Sequence, residues 1–121
     1  MRFPHSARLV DGEHTAGLHP HLIAQVELPA DAVDGYVDMQ SSPFSWSSIR
    51  RGPDAESWLR MEDKSSYVAG MMQRRGWHLA PRHIVLFAQA NTAPTGSNLC
   101  WIAVQPGPER TALIYLYWEE T

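Results

Sequence analysis

Three apolar runs dominate the C-terminal third of the chain. They cover residues 82–88, 99–104 and 111–118 and are rich in β-branched, aromatic and small apolar residues. Runs of this length between turn residues are typical of buried strands. The first connection contains Pro94 and Gly96, and the second is short and rich in proline and glycine. We therefore predict a three-stranded antiparallel meander.

A fourth strand and a short helix are predicted earlier in the chain. Residues 21–28 alternate with a period of two, which is typical of a strand with one buried face. Asp31 is placed to cap a helix, because its side chain can accept a hydrogen bond from the first turn. The apolar positions of that helix are Val33, Tyr36 and Val37, at helical spacing.

The middle of the chain combines a loop with a longer helical stripe. Residues 41–53 carry serine, proline and glycine at positions that predict a loop. Asp54 is then expected to cap a second helix that ends at Gly76. Its apolar stripe consists of Trp58, Met61, Ser65, Val68 and Met72. Polar residues 62–66 would divide this stripe into two shorter helices.

Together these elements predict an α+β fold. We expect an antiparallel sheet of about four strands, with two or three helices packed on one face. Residues 1–20 are polar and broken by glycine, so we expect an irregular arm, either extended or forming a short irregular strand, before a single domain at 21–121. The strand runs are apolar on both faces, so the second face must also be covered. Either the arm or a second copy would cover it, the latter giving a homodimer through the sheet.

Composition narrows the class of protein. A chain of 121 residues with 44% apolar residues is expected to form one packed domain. The net charge of −3 gives no field that would attract nucleic acid, and no apolar run is long enough to enter a membrane. Residues 1–5 lack the apolar segment of a signal peptide, so the cytoplasm is expected unless a signal or anchor was removed. Arginine outnumbers lysine nine to one, which suggests a bacterial or phage source.

The nucleophile and phosphate motifs of common enzymes are missing. The chain has no phosphate-binding glycine loop, no Gly-x-Ser-x-Gly elbow and no His-Glu-x-x-His pair. Cys100 is the single cysteine and lies in an apolar run, so we interpret it as a buried and inert thiol. We expect no cofactor on this basis. The sequence does not decide whether the protein is an enzyme, and we favour a protein without catalytic activity.

A histidine-rich segment is the one candidate metal site. His14, His19 and His21 carry the spacing of ligands on an extended segment, and Asp11 or Glu13 could add a carboxylate. Three histidines plus an open position would suit zinc or another divalent transition metal, including a catalytic one. The alternative is a solvated arm in which histidine is simply frequent.

Aromatic residues suggest a ligand pocket as a further alternative. Trp58, Tyr67, Met71 and Met72 would line a pocket between helix and sheet. A stripe of methionine and aromatic residues is also typical of plain core. We interpret Trp58, Trp77 and Trp101 as core residues from their positions in apolar patterns.

The serine-rich loop holds the candidate surface for a protein partner. Phe44 and Trp46 lie close to Arg50 and Arg51. Tryptophan and arginine are enriched among the residues that contribute most to binding at protein interfaces. The alternative is that both aromatic side chains fold back and close one end of the core.

Two segments carry a resemblance to a known group of domains. Residues 28–37, Leu-Pro-Ala-Asp-Ala-Val-Asp-Gly-Tyr-Val, are followed by Gly-Trp-His-Leu at 76–79 and by three C-terminal strands. This layout over residues 22–118 resembles small uncharacterised α+β domains of actinobacterial lipoproteins and membrane-tethered proteins. The chain departs from them in that we expect it to carry no signal peptide and no lipobox cysteine. The resemblance implies a fold layout but no activity and no functional residues.

Three function classes therefore remain after the sequence is considered. We favour a non-enzymatic partner-binding or inhibitory module, because immunity proteins, antitoxins and phage inhibitors share this size and acidity. The first alternative is a small metal-binding protein or metal-dependent hydrolase that uses the histidine-rich arm. The second is a small-ligand-binding domain with a pocket between helix and sheet.

Overall fold

Six antiparallel strands form one sheet, in the order β1-β2-β6-β5-β4-β3. A computed structural model describes residues 7–15, 21–39, 48–61, 65–91 and 98–120. The strands are β1 (Arg8–Thr15), β2 (His21–Pro29), β3 (Ser48–Arg51), β4 (Leu86–Asn91), β5 (Asn98–Pro106) and β6 (Thr111–Glu120). The α+β class and the β4-β5-β6 meander are confirmed. The expected number of about four strands is wrong, because β1 and β3 add one strand to each edge.

Three α-helices accompany the sheet in the described ranges. They are α1 (Val33–Met39), which follows a 3₁₀ turn at Ala30–Ala32, α2 (Pro53–Met61) and α3 (Ser65–Arg74). Helix α2 begins at Pro53, whose fixed φ suits the first helical position, so Asp54 lies in the first turn instead of at the cap. Gly76 has a φ of +81°, which favours glycine after a helix. No helix within the described ranges is both long enough and apolar enough to cross a membrane.

Helices cover both faces of the sheet, which corrects the expectation that they pack on one face only. Residues 100–104 of β5 show the reason, since all five are fully buried and successive side chains point to opposite sides of the sheet. Helices α2 and α3 form a core on one face with Trp101 and Tyr117. Helix α1 forms a second core on the other face with Ile102 and Ile114. We call these the α2/α3 face and the α1 face.

The two edge strands are the elements that differ most from expectation. Strand β1 lies within the segment that we expected to be an irregular arm, and β3 lies within the expected loop. Most β1 side chains are exposed, and a bulge at Val10 breaks the alternation that would have indicated a strand. Strand β3 has only four residues, too few for a periodic signal. Both strands are recognisable only from their pairing with β2 and β4.

Candidate functional site

Arg50 connects edge strand β3 to helix α2 on the α2/α3 face. Its guanidinium carbon lies 4.3 Å from the centre of the Trp58 ring, at the distance of a cation–π contact. Its Nη1 atom lies 3.6 Å from Asp54 Oδ2, in the first turn of α2. Because the side chain is held on two sides and is 40% exposed, Arg50 presents only part of its guanidinium to a partner.

Three buried polar atoms near β3 have no hydrogen-bond partner in the structure as described. They are Ser48 Oγ, Arg50 Nε and Trp101 Nε1. Ser48 and Trp101 are in one cross-strand row, since each is directly opposite Gln89 of β4. All three atoms belong to side chains on the α2/α3 face. A buried polar atom that lacks a partner costs about 1–3 kcal/mol of stability, and within the described residues these three atoms all lie on β3 or β5.

A cavity lies on the opposite side of β3, between α1 and the sheet. Its volume is about 260 Å³, and its walls include Val33, Leu86, Val104 and Arg51. The first three are buried apolar side chains. Arg51 Nη1 lies 2.8 Å from Asp34 Oδ1, and their side chains are 56% and 74% exposed. The pair therefore adds two exposed charged groups to a cavity whose lining is mainly apolar.

Two exposed apolar side chains belong to this edge of the sheet, and one of them, Val85, lines the cavity. Ile49 of β3 is 43% exposed and Val85, immediately before β4, is 48% exposed. Ile49 and Arg51 are two residues apart on one strand and face the same side. Within the described ranges β3 is the last strand of the sheet on this side, and an edge strand is a site at which another chain can pair. We call Ile49, Arg51, Val85 and the cavity the β3 surface.

The residues predicted for partner binding are only partly described. Phe44 and Trp46 lie outside the described residues. Arg50 and Arg51 are adjacent on β3 but point to opposite faces, Arg50 toward Trp58 and Arg51 toward Asp34. The structure therefore separates the two arginines that the sequence placed in one patch.

The residues predicted to line a ligand pocket are divided between core and surface. Met71 and Met72 are 6% and 0% exposed and belong to the core on the α2/α3 face. Trp58 is half-buried under Arg50, and Tyr67 is 56% exposed. The cavity described above lies on the other face of the sheet and is lined by none of these four side chains. The ligand pocket at these four residues therefore stays a prediction.

The predicted metal ligands are not brought together by the described strands. His14 is opposite Leu22, whereas His21 is opposite Thr15, so the two histidine side chains lie on opposite faces. His19 lies outside the described residues, and the three-histidine site stays a prediction. In the part of the chain that is described, no group of three histidine, cysteine, aspartate or glutamate residues is placed to hold a metal ion.

His21 instead belongs to a cluster of aromatic and acidic side chains. Its ring centre lies 6.5 Å from that of Tyr67 and 6.4 Å from that of Tyr117. Glu119 is directly opposite His21 in the β2–β6 register, is 6% exposed, and accepts a hydrogen bond from the Tyr117 hydroxyl. This arrangement packs the end of β2 against β6 and α3.

Asp11 and Glu13, considered above as carboxylate ligands, serve a different purpose at the β1 edge. Asp11 accepts two hydrogen bonds from Arg75, at 2.6 and 3.0 Å, and a third from Trp77 Nε1 at 3.1 Å. Glu13 lies 3.2 Å from Arg75 Nη1. The hydrogen bonds from Arg75 are the main reason that the pKa of Asp11 falls below its usual range. We call Asp11, Glu13, Arg75 and Trp77 the β1 clamp.

Cys100 is buried, as the sequence indicated. Its side chain is fully enclosed in the sheet and forms no disulfide. Burial raises the pKa of the Cys100 thiol to about 12. The thiol is therefore protonated at neutral pH and inaccessible, and it is not a nucleophile in the folded protein.

Sequence reasoning missed the residues that define the β3 surface. Ile49, Asp34 and Val85 occur in different local patterns, and no spacing connects them. Only the pairing of β3 with β4 brings Ile49 to the edge of the sheet. The one signal that pointed to this region was the concentration of arginine next to a loop.

Comparison with family models, with curated proteins and with solved structures finds no match to this chain. The resemblance to actinobacterial α+β domains therefore stays a prediction. What the protein binds has to be inferred from the geometry of its own surfaces.

Proposed function

We propose that this protein is a non-enzymatic module that binds a segment of another protein along the β3 surface. The observation that carries the proposal is an apolar cavity that opens next to an edge strand. A segment added to the edge gains backbone hydrogen bonds, and pockets for its alternate side chains supply specificity. The cavity beside Arg51 is such a pocket.

The chemistry of the surface indicates what the bound segment carries. The buried walls of the cavity fit one apolar side chain, and exposed Ile49 and Val85 extend the apolar contact. Arg51 fits a carboxylate, because a guanidinium can bind both oxygens at once. Its present pairing with Asp34 is exposed at both ends, and exposed ion pairs contribute only about 0–1 kcal/mol. A partner carboxylate can therefore replace Asp34 at little cost.

Capture from extracts of the source cells with edge-specific variants tests this proposal. Ile49→Asp and Arg51→Glu change the β3 surface, and Leu9→Asp makes a matched change on the opposite edge. We expect one partner to be captured by the wild type and by Leu9→Asp, and to be lost with both β3 variants. Melting temperatures of all variants should stay close to wild type, since these side chains are exposed.

Hydrogen exchange on the recovered complex provides a second, independent measurement. Protection should increase at the amides of Ile49 and Arg51 and not at those of β1. Retained capture by both β3 variants, or protection confined to another surface, would overturn the proposal. The double variant Trp46→Ala and Arg50→Ala examines the neighbouring surface that the sequence indicated.

A small-ligand-binding function is the second candidate, because the same cavity could hold a free molecule. It predicts that small apolar carboxylates bind the isolated protein and shift the amide signals around Val33 and Val104. Partner capture that is unaffected by saturating amounts of such a carboxylate would favour the protein partner.

A further inference from the structure

Strand β1 is the other edge of the six-stranded sheet formed by the described residues, and it has its own exposed apolar residues. Leu9 is 66% exposed and Val10 is 40% exposed, and they are adjacent on the outermost strand. Native sheets usually protect such an edge, because it can pair with another strand. Helices cover both faces of this sheet, so the face-to-face homodimer suggested by the sequence is not needed to bury apolar strands.

The order of charges on β1 is complementary to itself. In an antiparallel pair of two β1 strands around a two-fold axis, residues opposite each other must project to the same face. Arg8 and Glu13 both project to the α2/α3 face, since they are opposite Glu27 and Ile23 of β2. Pairing Arg8 with Glu13 of a second copy satisfies this condition and forms the contact twice.

The same register also fits the uncharged residues of the edge. Leu9 and Gly12 both project to the α1 face, being opposite Val26 and Ala24. In this register Leu9 meets Gly12 of the second copy, so the most exposed apolar side chain of β1 faces a residue without a side chain. The two bulges at Val10 lie next to each other at the two-fold axis. Another register in which opposite residues project to the same face would place Glu13 opposite Glu13 of the second copy. Repulsion between the two negative charges disfavours that register.

The charged side chains concerned are accessible. Arg8 contacts Glu27 at 3.2 Å but is 66% exposed, and Glu13 is 47% exposed beside Arg75. Each side chain can turn from its present partner toward a second copy, because an exposed ion pair contributes little stability. The β1 clamp fixes the strand to the protein, so little ordering is required when another strand pairs with it.

We propose that β1 is a homodimerisation edge, at which two copies pair antiparallel with Arg8 of each opposite Glu13 of the other. The two six-stranded sheets then form one continuous sheet. The contact involves few residues, so the dimer is weaker than a standard interface and depends on concentration. This proposal is independent of partner binding at β3, which lies at the opposite edge.

Charge complementation between two single variants tests the register. Arg8→Glu alone places glutamate opposite glutamate, and Glu13→Arg alone places arginine opposite arginine. A heterodimer of the two variants has both pairs restored. In sedimentation equilibrium we expect wild type to rise from 13.6 kDa toward twice that mass with concentration. Each variant alone should stay monomeric, and an equimolar mixture should dimerise.

Matched controls separate the interface from effects on folding. Arg60→Glu makes the same charge change on the exposed face of α2 and should dimerise as wild type does. Leu9→Lys removes the apolar contact at a highly exposed position and should be monomeric with an unchanged circular dichroism spectrum. A wild type that is monomeric throughout would overturn the proposal. So would single variants that dimerise alone, or a mixture that stays monomeric while the wild type dimerises.

Discussion

The two edges of the sheet are each tied to the helical layer by an arginine and a tryptophan, in opposite arrangements. At β1 both residues come from the segment at the end of α3, and they hold Asp11 on the strand. At β3 the arginine is on the strand and stacks on Trp58 of α2. The β1 clamp satisfies a carboxylate with three hydrogen bonds, whereas the β3 contact leaves Arg50 Nε without a partner in the described structure.

This difference indicates which edge of the sheet is held rigidly and which edge can accept a binding partner. A satisfied and charge-assisted network holds a strand in one place. The cavity beside β3 can instead accept a bound side chain. We therefore propose self-association at the β1 edge and partner binding at the β3 edge. The following variants test this contrast, from the largest expected effect to the smallest.

Replacing the two tryptophans separates the edges most strongly. Trp77 is 5% exposed and packs in the core, so Trp77→Ala should lower the free energy of unfolding by about 3–5 kcal/mol. Trp58 is only partly buried, and Trp58→Ala should cost clearly less. Urea unfolding followed by circular dichroism measures both. Equal losses, or a larger loss for Trp58→Ala, would contradict the contrast between a rigid and a yielding edge.

Removing the charge of Asp11 should produce a pH-dependent loss of stability. Hydrogen bonds from Arg75 lower the pKa of Asp11 below its usual 3.8, so the ionised carboxylate stabilises the folded state at neutral pH. This contribution should be lost as the pH falls through the lowered pKa. The difference between wild type and Asp11→Asn in urea unfolding should therefore be full at pH 7 and shrink below pH 3.8.

Asp34→Asn is the matched control for this pH series, because it removes one carboxylate from the exposed ion pair with Arg51. We expect it to change stability little at pH 7, as exposed ion pairs do. An Asp11→Asn effect that stays constant between pH 7 and strongly acidic pH would show that the β1 clamp acts through packing and not through charge.

The smallest effect is expected at the cation–π contact. Arg50→Lys keeps the charge but loses the planar group that stacks on Trp58, so it should reduce the free energy of unfolding by about 0.5–1 kcal/mol. Arg60→Lys, in an exposed pair with Glu56, serves as control and should have no measurable effect. A loss at Arg50 as large as that of Trp77→Ala would show that β3 is held as firmly as β1.

Much of the central sheet could be predicted from the sequence. Strands β2, β5 and β6 were recognised because each buries apolar residues in a local pattern, and Cys100 was placed correctly for the same reason. Helices α2 and α3 followed from one apolar stripe, and polar residues 62–66 indicated the division between them. The local periodicity of apolar residues is sufficient to predict a strand or helix when one face of that element packs against the core.

The edges and both candidate surfaces were decided by the tertiary structure alone. Arg75 holds Asp11 across 64 positions of sequence, and Ile49 reaches the edge only through pairing with β4. An edge strand is stabilised by backbone hydrogen bonds to one neighbour and keeps most side chains in solvent, so its side-chain pattern carries little signal. The sequence by itself determined that the chain forms helices and a sheet whose central strands are apolar on both faces. The order of its strands decided which residues stand at the two open edges, because distant segments meet only in the folded chain.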